Sequence, residues 1–552
     1  MSTIANEGRV LLLDDERLVR FTISAWLKTT GFQVVAVATP EEALDELRKS
    51  HFDVVLSDVI MGSMDGFMFR DAVRAFETNL PIIFLTSLVN DLGNQLMGRI
   101  TEDMHSYYVP KNARREYLLG RLRQVVTAYR TESTARSLHS EMARNLQLAS
   151  LIQRSLLPGW AAYHKYGFYS SFWKPHDVVS GDLCEYYSLT EHSSLFVIGD
   201  ISGHGVPAAL AMTAVQSFLK VLLSGGEDRA RNPNLICQDI DRFIRNNLRD
   251  VAYMAGLVMY VNLKENIIRY CNAGSIEPLC FCRTDGSRIE LNPAHLGCLP
   301  MGMMSGSQYL ASDVVEATVP DDGVLCFYSD GFVDLTQDMA GEERVPTDML
   351  YEILAELVRG ANGTCDLGSL PYRLFAMLRD MGYKYAHDDL SFVVIGRTAR
   401  HAGRFLSEVP MRREEQIDQV VQRVVAWAAE QGVPDETSAK LDLLLSEHLV
   451  NIRKHGLDDY GRRHEVVLLE IRLAGEGLEV ATWDRGRSWT ADVSEIAPHP
   501  DLTLDGRNRE MATSGRGIAI LRKISPRISY DVYEGLNRIT FYVPYGVEGQ
   551  GG

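Results

Sequence analysis

Acidic residues stand at the ends of apolar runs throughout the chain, and their placement is the first sign of chemistry. Leu195-Phe-Val-Ile-Gly-Asp200-Ile-Ser-Gly-His-Gly205-Val-Pro207 carries an apolar run into Asp200, turns on glycines and opens a small-residue helix with proline in its first turn. The device recurs at Val324-Leu-Cys-Phe-Tyr-Ser-Asp330-Gly331, and in reverse at Asp388-Asp389-Leu-Ser-Phe-Val-Val-Ile395. Val179-Ser-Gly-Asp182 adds a further acid of the same kind. A single Asp beside Gly is ordinary turn chemistry. Several carboxylates drawn together would repel one another and rise in pKa unless cations held them, so the ordered set points to hard metal ions. Nearer the start, Asp14, Asp15, Asp58, Thr86 and Lys111 all occupy the ends of strand-like runs. Toward the other end, Glu447, Asn451 and His455 are spaced by four and so share a helix face. Leu478-Glu-Val-Ala-Thr-Trp-Asp484-Arg-Gly486 then places another acid at a strand end. Ser514-Gly515-Arg-Gly517-Ile-Ala-Ile-Leu521 leads into an apolar helix whose first N–H groups can receive phosphate.

The elements that must position these residues differ along the chain. Short apolar runs at Arg9–Leu13, Asp53–Asp58 and Leu80–Thr86 alternate with helical patterns such as Pro40–Lys49. That alternation predicts a doubly wound parallel sheet with functional residues at the carboxyl ends of its strands. From Arg114 to Leu157 there is almost no Gly and no Pro, and the Leu-, Arg-, Glu- and Ala-rich composition predicts one continuous helix ended by Pro158. Within it Leu138, Met142, Asn145, Ala149, Ile152 and Leu156 form a heptad-like seam with one polar Asn. Two readings stay open: a single amphipathic helix lying on the domain that follows, or a dimeric coiled coil, hence a homodimer through this connector. Arg397 to Arg404 reads as a short basic linker, Ile417–Glu430 as an amphipathic helix, and Pro434-Asp435 as the opening of another that runs to Gly456.

At 552 residues the chain has room for about three or four domains. A formal net charge of −17 disfavours partners such as nucleic acid or an anionic membrane surface. The eight cysteines are dispersed without a Cys-x-x-Cys pair, which fits reduced, buried thiols and a cytoplasmic location. The start does not resemble a signal peptide, and no apolar run has bilayer-spanning length.

Three family resemblances rest on these residues. Pro175, Ser180-Gly-Asp182, Gly199-Asp200-Ile-Ser-Gly-His-Gly205, Asn272-Ala-Gly274, Tyr328-Ser-Asp330-Gly331 and Asp388-Asp389-Leu-Ser391 resemble the SpoIIE-type branch of the PPM serine/threonine phosphatases. That resemblance implies two Mn²⁺ or Mg²⁺ ions held by Asp182, Asp200, Asp330, Asp388 and the Ile201 carbonyl, activating a water that attacks a phosphoserine. Ser180, Glu185 and Ser275 depart from the usual Gly, Asp and His, and His204 reads as a turn residue. Asp14, Asp15, Asp58, Thr86 and Lys111 resemble the receiver domain of response regulators. The match implies Asp58 as phosphoacceptor, Mg²⁺ held with Asp14 and Asp15, and Thr86 and Lys111 on the new phosphoryl group. It also implies Tyr108 as an aromatic switch, and an upstream histidine kinase or histidine phosphotransfer protein. Gly62 stands where Pro is usual after Met61, and Pro110 precedes Lys111 instead of following it.

Glu447/Asn451, Asp484-x-Gly486 and Gly515-x-Gly517 resemble the GHKL anti-sigma-factor serine kinases. This implies Mg-ATP, with Asn451 on Mg²⁺, Asp484 on the adenine amino group, Gly486, Gly515 and Gly517 in nucleotide binding, and Glu447 as base for a serine hydroxyl. The expected fold class is multidomain α/β and α+β: a receiver with a doubly wound parallel sheet, a PPM-type β-sandwich flanked by helices and a GHKL-type α/β sandwich, with a long helical connector. The boundaries expected are 1–128, 129–158 (connector), 159–397 and 401–545. The resemblances imply a bifunctional partner-switching regulator that removes and adds phosphate on a serine of a STAS-type anti-sigma-factor antagonist, under Asp58 control, with a sigma or anti-sigma factor as a further partner. The alternative is a phosphatase whose last module sequesters a sigma factor or antagonist without kinase turnover.

Overall fold

The computed structural model describes residues 7–62, 64–86, 103–164, 166–249, 251–304, 309–361, 364–397, 403–458, 461, 465–488 and 516–545. They fall into two compact units, residues 1–145 and 146–552.

In the first unit, strands Phe32–Val37, Gly8–Leu13, Val54–Asp58, Ile82–Thr86 and Ser106–Pro110 lie side by side in that order, all parallel. Helices cover both faces, so the central strands carry unbroken apolar runs such as Val10-Leu-Leu-Leu13 in place of alternation. Thr39 starts the helix Pro40–Lys49 by accepting from Glu42 N (3.3 Å), while the Glu42 carboxylate accepts from Ala38 N (2.9 Å), a reciprocal cap. The helix Arg115–Leu156 packs Leu118, Leu122, Val125, Val126 and Tyr129 on this sheet. Arg130 then grips Asp53 through two 2.8 Å bonds. From Arg130 through Asn145 every residue of the helix is exposed, Leu138 and Met142 included.

The second unit begins with a double sheet. One layer orders the strands Val315–Thr318, Ile267–Ala273, Met254–Asn262, Ser193–Ile201 and Asp182–Ser188. The other orders Arg288–Ile289, Leu279–Cys282, Gly323–Tyr328, Leu390–Arg397, Gly167–Lys174 and Ala161–Tyr163. Period-2 alternation sorts the side chains. Phe196, Ile198, Tyr169, Phe327 and Val393 fill the space between the layers. Leu195 and Val197 face the helices Val206–Leu222 and Pro233–Asn247. Phe172, Val394 and Tyr328 face Thr347–Arg359 and Leu370–Asp380.

A third sheet follows, ordered Arg404–Pro410, Val466–Leu473, Gly477–Asp484, Leu536–Pro544 and Arg527–Tyr533. Val467, Leu469, Val480 and Phe541 pack under the helices Glu414–Glu430, Asp435–Asn451 and Arg516–Ile524. The opposite face is covered too: Leu468, Ala481, Trp483 and Leu536 join Phe172 of the double sheet, Trp160 just before it and Tyr372 of the helix Leu370–Asp380 in one core. Trp160 Nε1 donates to the Val466 carbonyl (2.9 Å) across this junction. The segment read as a linker runs from Arg397, which closes one strand, to Arg404, which opens the next, and residues 398–402 between them lie outside the described residues. Among the described residues no helix is long and apolar enough to cross a membrane.

Candidate functional site

At the carboxyl ends of the parallel strands, the carboxylate oxygens of Asp14, Asp15 and Asp58 lie within 4.8 Å of one another. Lys111 Nζ stands 2.6 Å from Asp58 Oδ2 and 3.0 Å from Asp14 Oδ2. Burial works to lower the lysine pKa, but hydrogen bonds and charge from Asp58 and Asp14 outweigh it and the net direction is up. Thr86 ends its strand opposite Pro110, and its carbonyl accepts from Lys111 N (2.7 Å). Tyr108 is 38 % exposed, so the aromatic ring expected to turn inward with Thr86 faces outward in this state.

In the double sheet, Asp200, Asp330 and Asp388 bring carboxylate oxygens within 4.8 Å of one another. Each comes from a different local device. Asp200 is next to last in its strand, and the turn after it relies on Gly203 (φ 92°) and Gly205 (φ 75°), which side-chain-bearing residues rarely imitate. His204, between them, is exposed. Asp330 opens a 3₁₀ turn, and a Cβ on Gly331 would collide with the Asp389 carbonyl. Asp388 precedes the strand Leu390–Arg397. Asp182 lies opposite Asp200 in register, 1 % exposed, outside the mutual trio, with its Oδ2 buried and lacking a hydrogen-bond partner. The Ile201 carbonyl would be 3.2 Å from a Cβ on Gly181, so glycine permits that close approach.

Burial, followed by the charges of Asp388 and Asp330, pushes the Asp200 carboxyl up to about 8. Asp182 is raised by burial and by Asp200; Asp330 and Asp388 also rise, burial again leading. Such a set of crowded, destabilised carboxylates with an orphaned oxygen suits hard divalent cations.

Three features of this region were not legible as site chemistry. Asp389 accepts from His176 N and Gly181 N, both at 2.7 Å, so the second acid of the pair anchors the loop leading to Asp182. The side chain of Asn272 bonds Ser275 N and O and Glu277, making Asn-Ala-Gly a turn builder. Glu185 contacts Gln216, which also donates to the Leu156 carbonyl (2.9 Å) at the end of the connector helix.

In the third sheet, the helix Asp435–Asn451 carries Glu447 and Asn451 one turn apart, both half-buried. His455 falls in the π turn Ile452–Gly456 that follows this helix, closed by Leu457 N to the Ile452 carbonyl (3.0 Å). Asp484 ends its strand 3 % exposed, its Oδ1 accepting from Gly486 N (2.7 Å) and Asn537 Nδ2 (3.0 Å). Burial leads in pushing its carboxyl up to about 6. A Cβ on Gly486 would sit 2.7 Å from Asp484 Oδ1 and 3.1 Å from the Gly456 carbonyl, so the loop requires glycine. Arg487 N also bonds the Gly456 carbonyl (2.7 Å), joining the end of the Asn451 helix to the Asp484 loop. A buried acceptor beside a glycine cradle fits a purine amino group. Asn537, which orients that acceptor, had no signal in the sequence. Gly517 falls in the helix Arg516–Ile524, while Gly515 lies outside the described residues.

Family models agree with this division. Residues 10–123 match the response regulator receiver domain, 190–398 the stage II sporulation protein E (SpoIIE) family, and 410–543 the histidine kinase-like ATPase domain. The chain thus joins a receiver domain, a SpoIIE-type PPM phosphatase domain and a GHKL-like ATPase domain. Among curated relatives, the phosphoserine phosphatase RsbP of Bacillus subtilis is 25% identical over 197 residues, 35% of this chain and 46% of that protein. A probable transcriptional regulator ycf27 of Cyanophora paradoxa is 33% identical over 146 residues, 26% of this chain and 59% of that protein. The chain spans about half the length of these relatives. The solved RsbU and RsbW domains of Rv1364c from Mycobacterium tuberculosis align over 69% of this chain and 94% of theirs, at 20% identity and a TM-score of 0.36.

Proposed function

We propose that this protein is a receiver-controlled regulator that removes phosphate from, and returns it to, a serine of a STAS-type anti-sigma-factor antagonist. The observation that carries the reading is the presence, in one compact unit, of a carboxylate trio suited to metal ions and a buried acceptor loop suited to a nucleotide. In the phosphatase, Asp200, Asp330 and Asp388, with Asp182 and the Ile201 carbonyl, would hold Mn²⁺ or Mg²⁺. Such ions, when bound, make water a competent nucleophile near neutral pH and offset charge on the phosphoryl oxygens. Asp389 keeps the 175–181 loop in place beneath them. In the ATPase, Asp484 would accept from the adenine amino group, Asn451 would hold Mg²⁺, and Glu447 would take the proton of the incoming serine hydroxyl. Gly515 and Gly517 would complete the phosphate contacts.

In the receiver, Asp58 would accept a phosphoryl group from a histidine kinase or phosphotransfer protein, with Mg²⁺ on Asp14 and Asp15. Thr86 and Lys111 would neutralise the product. Phosphorylated receiver would favour net dephosphorylation of the antagonist, the unphosphorylated form the kinase. A sigma or anti-sigma factor would act downstream, and the connector would pair two copies through Leu138, Met142 and Ile152. The phosphoserine class named for the Bacillus relative supports the substrate reading.

The test incubates a purified STAS-domain antagonist from the same genome with the full chain and Mg-ATP, then with Mn²⁺ without ATP, following serine phosphate by intact mass. The expected result is gain followed by loss, with Asn451→Ala blocking the gain and Asp200→Ala the loss. Loss without any gain would reduce the ATPase module to a binding part that sequesters its partner.

A further inference from the structure

Side chains alternate along the strand Gly477–Asp484, so the neighbours of Asp484 point to the opposite face of the sheet, against the phosphatase. Trp483 lies in the core shared with Phe172 and Tyr372. Arg485 pairs with Glu465 (2.6 Å) and lines one cavity with Tyr372, whose hydroxyl donates to the Ser171 carbonyl (3.0 Å). Ser171 and Lys174 belong to the strand paired with Leu390–Arg397, and Lys174 lies opposite Leu390, next to the acids Asp388 and Asp389.

A second arm runs through the hairpin turn after Tyr533. Glu534 holds the unusual φ of +47° for a residue with a side chain, and its carboxylate pairs with Arg379 and, at 4.0 Å, with Lys174. Three residues later Asn537 bonds both Asp484 Oδ1 and the Gly486 carbonyl (2.9 Å). Arg538 pairs with Asp366 (3.3 Å) and lies over the Trp483 ring. The hairpin support of the Asp484 loop is therefore held by phosphatase side chains, and its Arg485 side faces the phosphatase residue Tyr372. Between them a cavity of about 500 Å³, lined by Trp173, Lys174 and Tyr372 on one side and Gly456, Arg485 and Gly486 on the other, leaves the loop room to shift.

We propose that Tyr372 and Glu534 are positioning residues through which the phosphatase domain sets the Asp484–Arg487 loop, so that nucleotide binding and phosphatase turnover are coupled. The inference rests on reading Asp484 as a nucleotide residue. Coupling of this kind is reciprocal in binding free energy and typically changes affinity by about 5-fold or more.

The experiment titrates the full-length protein with fluorescent mant-ADP at fixed Mg²⁺, and separately measures p-nitrophenyl phosphate hydrolysis in Mn²⁺ with and without ADP. Tyr372→Phe and Glu534→Gln are expected to weaken mant-ADP binding by about 5-fold or more and to blunt the response of hydrolysis to ADP. The swap of Arg379→Glu with Glu534→Arg is expected to restore affinity lost in Arg379→Glu, a rescue that general loosening of the fold would not produce. Unchanged mant-ADP affinity in both Tyr372→Phe and Glu534→Gln overturns the proposal. Failure of the wild type to bind mant-ADP would instead remove the nucleotide reading beneath it, and the proposal with it.

Discussion

At the scale of single residues, the protein repeatedly buries titratable groups, and each burial has a consequence in pH. His448 is fully buried on the inner face of the Asp435–Asn451 helix, its Nε2 2.8 Å from Thr482 Oγ1 and its ring edge-on to Phe541. Burial lowers its pKa from the ordinary 6.5 to about 3. Below 6.5 the unfolded chain binds a proton that the folded chain refuses, so stability is full above that value and falls as pH drops toward 3. At pH 5 the cost is about 2 kcal/mol. Asp200 and Asp484, with carboxyls pushed up to about 8 and about 6, gain stability over the same range, so the His448 contribution is read as a difference. In urea unfolding followed by tryptophan fluorescence, His448→Phe should gain about 2 kcal/mol relative to the wild type on going from pH 7 to pH 5. The same change in stability between the two pH values in the wild type and in His448→Phe would contradict the assignment. The identity of Asp200, Asp330, Asp388, Asp58 and Asp484 as strand-end acids was plain in the sequence, because apolar runs and glycines frame them. The separate task of Asp389 was not, since two adjacent aspartates look alike until one is seen to accept backbone N–H groups.

At the scale of elements, the connector helix is the part whose length was most legible and whose contacts were least so. Helix-forming residues with no proline between Arg114 and Leu157 predict what Arg115–Leu156 shows. The heptad seam does not say which of its residues meet a partner. Near the end of the helix Gln153, 3 % exposed, makes paired bonds with Ser180: Nε2 to the carbonyl at 2.6 Å, Oε1 from the N–H at 3.0 Å. It thereby completes backbone pairing two residues before Asp182. Gln153→Ala leaves that N–H and carbonyl buried without partners, at a cost of about 1–3 kcal/mol. Chemical denaturation should report the loss, and isothermal titration should show weaker Mn²⁺ binding as the Asp182 loop relaxes. A variant with wild-type stability and Mn²⁺ affinity would show that the helix end does not support the metal loop.

At the scale of the whole molecule, the phosphatase and ATPase domains share an apolar core beside the ion pairs Arg379–Glu534 and Arg538–Asp366. Leu468, Ala481, Trp483 and Leu536 are as buried as the residues between the phosphatase layers. The two domains should therefore melt together, and saturating ADP should raise that common transition in calorimetry. Trp483→Ala, which removes a large side chain from the junction, should lower stability by about 3–5 kcal/mol and shift the same transition. Separate phosphatase and ATPase transitions beside that of the receiver unit, with ADP moving only one of the three, would show that the shared core does not make the two domains cooperative.

The sequence by itself determined the order of three domains, the parallel sheet of the first, the strand-end placement of the acids and the unbroken connector. These follow from local periodicity, turn residues and propensity, which act over a few neighbours. Tertiary structure decided what lies far apart in the chain: Asp200 with Asp330 and Asp388, Asn537 with Asp484, Gln216 with the connector end, and Tyr372 with Ser171. The third sheet makes the difference clearest. Its run Val466-Val-Leu-Leu-Glu-Ile-Arg-Leu473 shows that much of the strand is buried, but not what covers each face. Alternation assigns odd and even residues to opposite sides; which neighbour each side meets is set by chain segments tens to hundreds of residues away.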